Sequence, residues 1–243
     1  MNFVDSVRRS MRMPKLEDYV RQYKTAPDGA GRKQALWGIR ETMEKRKSAE
    51  DAIRLGVIPI LVKVLNTGTL DETLWACWCL RFLSASETGS TLILQEASES
   101  GNAVDGLVRC IKCLVGQGRA TFEGDESAHR SLDVMEALSM HLSTQFFLAR
   151  DDVYRVLAAV LGCPRTHEAC TAARIYYNLS EAKTGGKPHY LAAMATPETI
   201  ENLRALAESK AVSPPDQAIC ATTARHLVEN APVNLAESES AAE

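Results

Sequence analysis

The sequence predicts an all-α protein: a right-handed superhelical solenoid of about four to five stacked helical repeats. Two observations predict it. First, a short apolar segment followed by a longer helical one recurs along the chain, with Leu61, Leu107, Val156 and Leu203 at matching positions about 46 to 49 residues apart. Second, residues 54–84 form one supersecondary unit too apolar to bury its own surface, so it needs copies of itself on either side. The expected organisation is an N-terminal helical arm or cap at 1–31, a repeat domain at 32–229, and an acidic, disordered tail at 230–243.

The elements follow in order. A first helix is expected over 16–23, ending at Pro27-Asp28-Gly29, and a second over 32–47 with Leu36, Trp37, Ile39 and Met43 as its apolar stripe. Ser48-Ala49-Glu50-Asp51 reads as a capping box before a short helix, 52–55. Gly56 suits the left-handed position past that helix end. Pro59 falls in the first turn of the next helix, where its missing N–H costs nothing. Residues 58–65 leave only Lys63 polar, so this helix should be buried all round. A turn at Asn66-Thr67-Gly68 leads to a longer helix, capped by Asp71 or Thr69, carrying Trp75, Trp78, Phe82 and Leu83.

The same order then returns. A short helix is expected over 91–97, a loop over 98–102, and an apolar helix over 104–115. A Gly-rich and charged loop over 116–126 reads as an insertion before a long helix, 128–142. Helices over 152–161 and 168–179 follow, separated by Gly162-Cys163-Pro164. A loop at 183–188 precedes Thr196-Pro197, a cap with proline at the first position of a helix over 198–206. Pro214-Pro215 opens the last helix, 216–228.

Composition narrows the function. With 45% hydrophobic residues the chain can build a sizeable core, and a net charge of -3 gives no global case for nucleic acid. No apolar run approaches the roughly 20 residues that span a membrane. Seven cysteines, mostly in apolar helical stretches, fit reduced thiols and a cytoplasmic setting, the cytoskeleton or a flagellum included. At the N-terminus Arg8, Arg9, Arg12 and Lys15 face a single acid, Asp5. That resembles a mitochondrial presequence, the alternative location; an ordinary amphipathic arm is the plainer reading.

G-V-I-P-I-L-V-K-V-L at 56–65, followed by W-A-C-W-C-L-R-F-L-S at 75–84, resembles the armadillo repeat. The match is good over 52–84, fair over 167–182, and degenerate over 104–142 and 198–228. The resemblance implies an inner groove, formed by the longest helices, that grips extended peptides. The nuclear-import adaptors of that family use a Trp and Asn ladder, with Asn four residues after Trp. Aligned by a closing leucine, taken as Leu83, Leu142, Leu179 and Leu227 after Ile39, only Trp78 and Asn178 fit that ladder. The groove face would then carry Trp78, Arg81, Phe82, His141, Arg174, Asn178, Arg225 and His226. Aromatics and arginines are the anchors interfaces use most, although Trp78 and Phe82 could equally be core and the arginines a solvated surface.

Other constellations are thinner. Cys110-Ile111-Lys112-Cys113 has no second pair to complete a zinc site, and core packing is the expected role. Cys163, His167 and Cys170 cluster at a loop–helix junction but lack a fourth ligand, which His129 or His141 could supply. Asn178-Leu179-Ser180 is a formal glycosylation sequon inside a helix expected to be packed. No phosphate-cradling loop, nucleophile elbow or His-Glu-x-x-His motif is present.

The expectation is therefore a non-catalytic scaffold or adaptor without metal or cofactor. It would bind a protein or extended peptide through its inner groove, and the arginines would suit an acidic one. It would serve as a subunit of a larger assembly, for example axonemal or cytoskeletal. The alternatives are a metal-dependent or enzymatic helical protein using Cys163, His167 and Cys170, and an adaptor of the nuclear-import type.

Overall fold

The computed structural model describes residues 14–46, 49–115, 122–180 and 188–230, and these residues are almost entirely helical. A first pair, α1 (Leu16–Thr25) and α2 (Gly29–Arg46), opens the chain. The order short, medium, long then occurs four times. The first three sets are α3 (Ala49–Arg54), α4 (Val57–Thr67), α5 (Leu70–Leu83); α6 (Glu87–Gln95), α7 (Ala103–Val115), α8 (Phe122–Ser139); and α9 (Leu142–Leu148), α10 (Asp151–Leu161), α11 (Thr166–Ser180). The last is α12 (Pro188–Met194), α13 (Pro197–Glu208), α14 (Pro214–Asn230). No helix among the described residues is long and apolar enough to cross a membrane.

Packing follows two rows. The long helices α2, α5, α8, α11 and α14 each contact the next, as do the medium helices α4, α7, α10 and α13. One continuous apolar cluster runs between the rows, from Leu36 and Ile39 through Leu61, Leu80, Leu107, Leu132 and Tyr176 to Leu203 and Leu227. The Tyr176 hydroxyl is buried there and donates to the Tyr154 carbonyl at 3.0 Å, so its polar atom is satisfied.

Helix α4 is buried from Val57 to Leu65 except at Pro59 and Lys63, which with Thr67 form one exposed stripe at four-residue spacing. Gly56 before it adopts φ 73° and ψ 40°, the left-handed conformation a side chain would strain. Thr69, not Asp71, begins α5, where Glu72 accepts from the Thr69 backbone N–H at 2.8 Å. Thr196 accepts from Thr199 N–H and starts α13 with Pro197 behind it.

Several expected boundaries are corrected. The helix expected over 91–97 lies at Glu87–Gln95, because Ser86 caps it by accepting from Gly89 N–H. The loop expected over 98–102 contains a minimal hairpin, Ala97–Ser98 paired with Gly101–Asn102 (β1 and β2). Asn102 and Asp105 then exchange side-chain and backbone bonds that start α7. Helix α8 begins at Phe122, inside the expected loop, and ends at Ser139. Leu142, read as its closing leucine, is 68% exposed and starts α9 instead. The buried closing leucine is Leu138.

Helices α9 and α12 were not expected. In α9 the apolar Leu142 and Phe146 are exposed together with Ser143, while Thr144 and Gln145 turn inward with Leu148. The Thr144 hydroxyl donates to the Leu138 carbonyl, and the Gln145 amide donates to the Ser139 carbonyl at 2.9 Å. These polar side chains satisfy the end of α8, so Leu148 is the one apolar residue fully buried on that face and leaves no apolar periodicity to read. The expected Ser48 cap, the presequence-like segment and the acidic tail after Asn230 lie outside the described residues.

Candidate functional site

The row of long helices carries a polar and aromatic ladder. At its centre is Trp78 of α5, 36% exposed. The guanidinium of Arg40, from α2, lies 5.5 Å from its ring centroid, and that of Arg130, from α8, lies 5.1 Å away. Both are within the range of cation–π attraction. Arg40 also meets Glu41 and Glu44, and Arg130 meets Glu126 and Asp133, so each cation is held by carboxylates of its own helix. Trp37 of α2 is 45% exposed.

The ladder continues from α8 to α14. Arg174 of α11 donates to Glu136 of α8 at 2.6 Å and to Asp216 of α14 at 2.8 Å, joining three long helices. Burial acts to raise the Asp216 carboxyl pKa, but the Ser213 hydroxyl and the Arg174 guanidinium outweigh it and hold the group below its ordinary value. Asn178 donates to Ser139 Oγ at 2.9 Å, so the sequon asparagine is committed between helices.

The eight sequence-derived site residues therefore divide. Trp78 and Arg81 are exposed on α5, and Phe82 is half-buried against the core. Arg225 is exposed on α14. Arg174, Asn178 and His226 are used between helices, His226 Nε2 lying 3.0 Å from the Ser180 carbonyl. His141 is not in the long-helix series. It is the residue before α9, with Nε2 3.4 Å from the Ser84 carbonyl. With Leu138 as the closing leucine, the positions matching Trp78 and Phe82 are Asp133 and Ala137.

Sequence reasoning missed Arg40, Arg130 and Asp133, placed Trp37 on a buried stripe although it is exposed, and offered His129 only as a fourth ligand beside Cys163, His167 and Cys170. A signal for the correct register is present: Leu-Ser closes α5, α8 and α11 as Leu83-Ser84, Leu138-Ser139 and Leu179-Ser180. All three serines are buried, and the carbonyl of each faces a side chain six or more residues away.

The cysteines take structural positions. Cys110 is buried but Cys113, three residues on, faces solvent, so only half of the C-x-x-C is core. Burial pushes Cys79 and Cys220 up to about 12 and raises Cys163 and Cys170, which keeps these thiols protonated. His167 does not join Cys163 and Cys170 in a ligand cluster. Its ring instead lies 4.9 Å from that of His129, centroid to centroid, with Asp133 beside them.

No protein-family model matches this chain, and no curated protein matches it.

Proposed function

We propose that this chain is a non-catalytic interaction module of the armadillo-like solenoid type, holding an extended acidic segment of a partner protein along its row of long helices. One observation carries the reading: Trp78 is exposed between two guanidinium groups from neighbouring helices. Arg81, one turn further along α5, is exposed and makes no ion pair among the described residues. With Arg40 and Arg130 already paired within their own helices, the exposed indole supplies an apolar contact and Arg81 the cation for a partner's carboxylate. The element order of short, medium and long helices supports the repeat assignment, since each unit has neighbours of the same build. Seven free thiols fit a reducing compartment such as the cytoplasm. A place within a larger assembly, cytoskeletal or axonemal for example, suits a binding module without chemistry of its own.

The test is a titration of the full chain with fluorescein-labelled extended peptides, glutamate-rich and lysine-rich, in wild type and in Trp78→Ala and Arg81→Glu variants whose helicity is checked by circular dichroism. Saturable binding of the acidic series is expected, weakened about tenfold or more in either variant. Equal binding by all three proteins, or preference for the lysine-rich series, overturns the reading.

A further inference from the structure

We propose that His129, Asp133 and His167 form a binding site for a divalent transition-metal ion of the zinc class, bridging α8 and α11. The three residues offer ligand atoms that all lie within 4.8 Å of one another. His129 and Asp133 are four residues apart on α8 and so share one face, with His129 Nε2 3.8 Å from Asp133 Oδ2. His167, the second residue of α11, supplies the third ligand from the neighbouring helix. Two imidazoles and one carboxylate form a donor set that zinc-class ions accept, with further coordination positions left open.

The surroundings have the support such sites need. His129 Nδ1 lies 3.9 Å from Glu168 Oε1, so the nitrogen turned away from the cluster faces a carboxylate. At that separation the pair is an electrostatic contact rather than a hydrogen bond, and it would orient the ring only on closing to bonding distance. Arg130 donates to Asp133 Oδ2 at 3.1 Å, the same oxygen that faces His129, so the guanidinium holds the carboxylate in place and an ion would share that group with it. Glu126, Asp133 and Glu168 face Arg130 and Arg165 here, a balance that leaves room for a cation. Metal–ligand distances of about 2.0–2.2 Å place ligand atoms roughly 3.3 Å apart around a tetrahedral ion. The cluster, whose ligand atoms lie within 4.8 Å of one another, must therefore contract by up to about 1.5 Å at its widest. His167 is exposed and its side chain is the one with space to move. An ion there would tie two long helices together, independently of whether the Trp78 face binds a peptide.

The experiment is calorimetric titration of the full, tag-free chain with Zn²⁺, together with the visible spectrum of the Co²⁺ form. One ion per chain is expected. Affinity should fall about 100-fold in His129→Ala or His167→Ala and about tenfold in Glu168→Gln, and stay unchanged in Cys163→Ser. Zn²⁺ should raise the melting temperature of wild type but not of the His129→Ala/His167→Ala double variant. Co²⁺ should give d–d bands without an intense thiolate charge-transfer band. The proposal is overturned by absence of saturable binding in wild type, by binding that survives the double variant, or by a thiolate band that disappears in Cys163→Ser.

Discussion

Trp78 illustrates what a single residue can do between helices. Its indole is partly exposed, so hydrophobic burial explains only part of its place. Two guanidinium groups reach its ring from α2 and α8. Each such contact contributes about 0.5–1 kcal/mol at a partly exposed site. Trp78→Ala should therefore cost roughly 1–3 kcal/mol, combining lost contacts with lost packing. Arg81→Ala, on the same helix but without an ion pair, should stay within about 0.5 kcal/mol of wild type. Urea denaturation of the two variants checks this, and equal destabilisation would mean that Trp78 plays no bridging role.

At the scale of elements, α4 and α9 are held by opposite means. Leu61 in α4 is fully buried within the core that both rows share. Leu61→Ala should destabilise by roughly 2–5 kcal/mol through the cavity it opens. In α9 the polar Thr144 and Gln145 turn inward beside Leu148, and Gln145 supplies a hydrogen bond to the carbonyl of Ser139. Gln145→Leu adds apolar surface yet should cost about 1–3 kcal/mol, because that buried carbonyl loses its donor. Chemical denaturation of both variants tests the contrast: a stabilised Gln145→Leu protein would show that α9 is held by apolar packing after all.

Across the whole molecule, polar links connect successive layers. Lys33 pairs with Asp71 between α2 and α5, Arg150, the residue before α10, with Asp105 of α7, and Arg174 with Glu136 and Asp216 across α8, α11 and α14. Asp216 gives this a pH signature. Its folded pKa lies below the ordinary value of 3.8, so its contribution is present above that value and is lost as pH falls through the folded pKa. Asp216→Asn should be less stable than wild type near neutrality, with the difference shrinking as the pH drops below about 3.8. Stability measured by urea unfolding from pH 7 to pH 3 checks the sign. A difference independent of pH would remove Asp216 from the network.

The sequence by itself determined the all-helical class, the recurrence of a short apolar segment before a longer helix, and the burial of Leu61, Leu107, Val156 and Leu203. It also placed the left-handed Gly56 and the Thr196-Pro197 start, because capping and apolar periodicity are local and leave their mark in neighbouring residues. Only the tertiary structure decided where α8 ends. There Leu138 and Leu142 compete for one role, and the buried carbonyls of Leu138 and Ser139 are met by polar side chains of the next helix. Only the tertiary structure brought Arg40 and Arg130 to Trp78, or His129 to His167. Those pairs join residues 38 to 52 positions apart in sequence, on helices whose facing sides are set by how the rows pack. A local pattern fixes which side of a helix is apolar. The neighbour that meets its polar edge depends on the register between helices, which no single segment encodes.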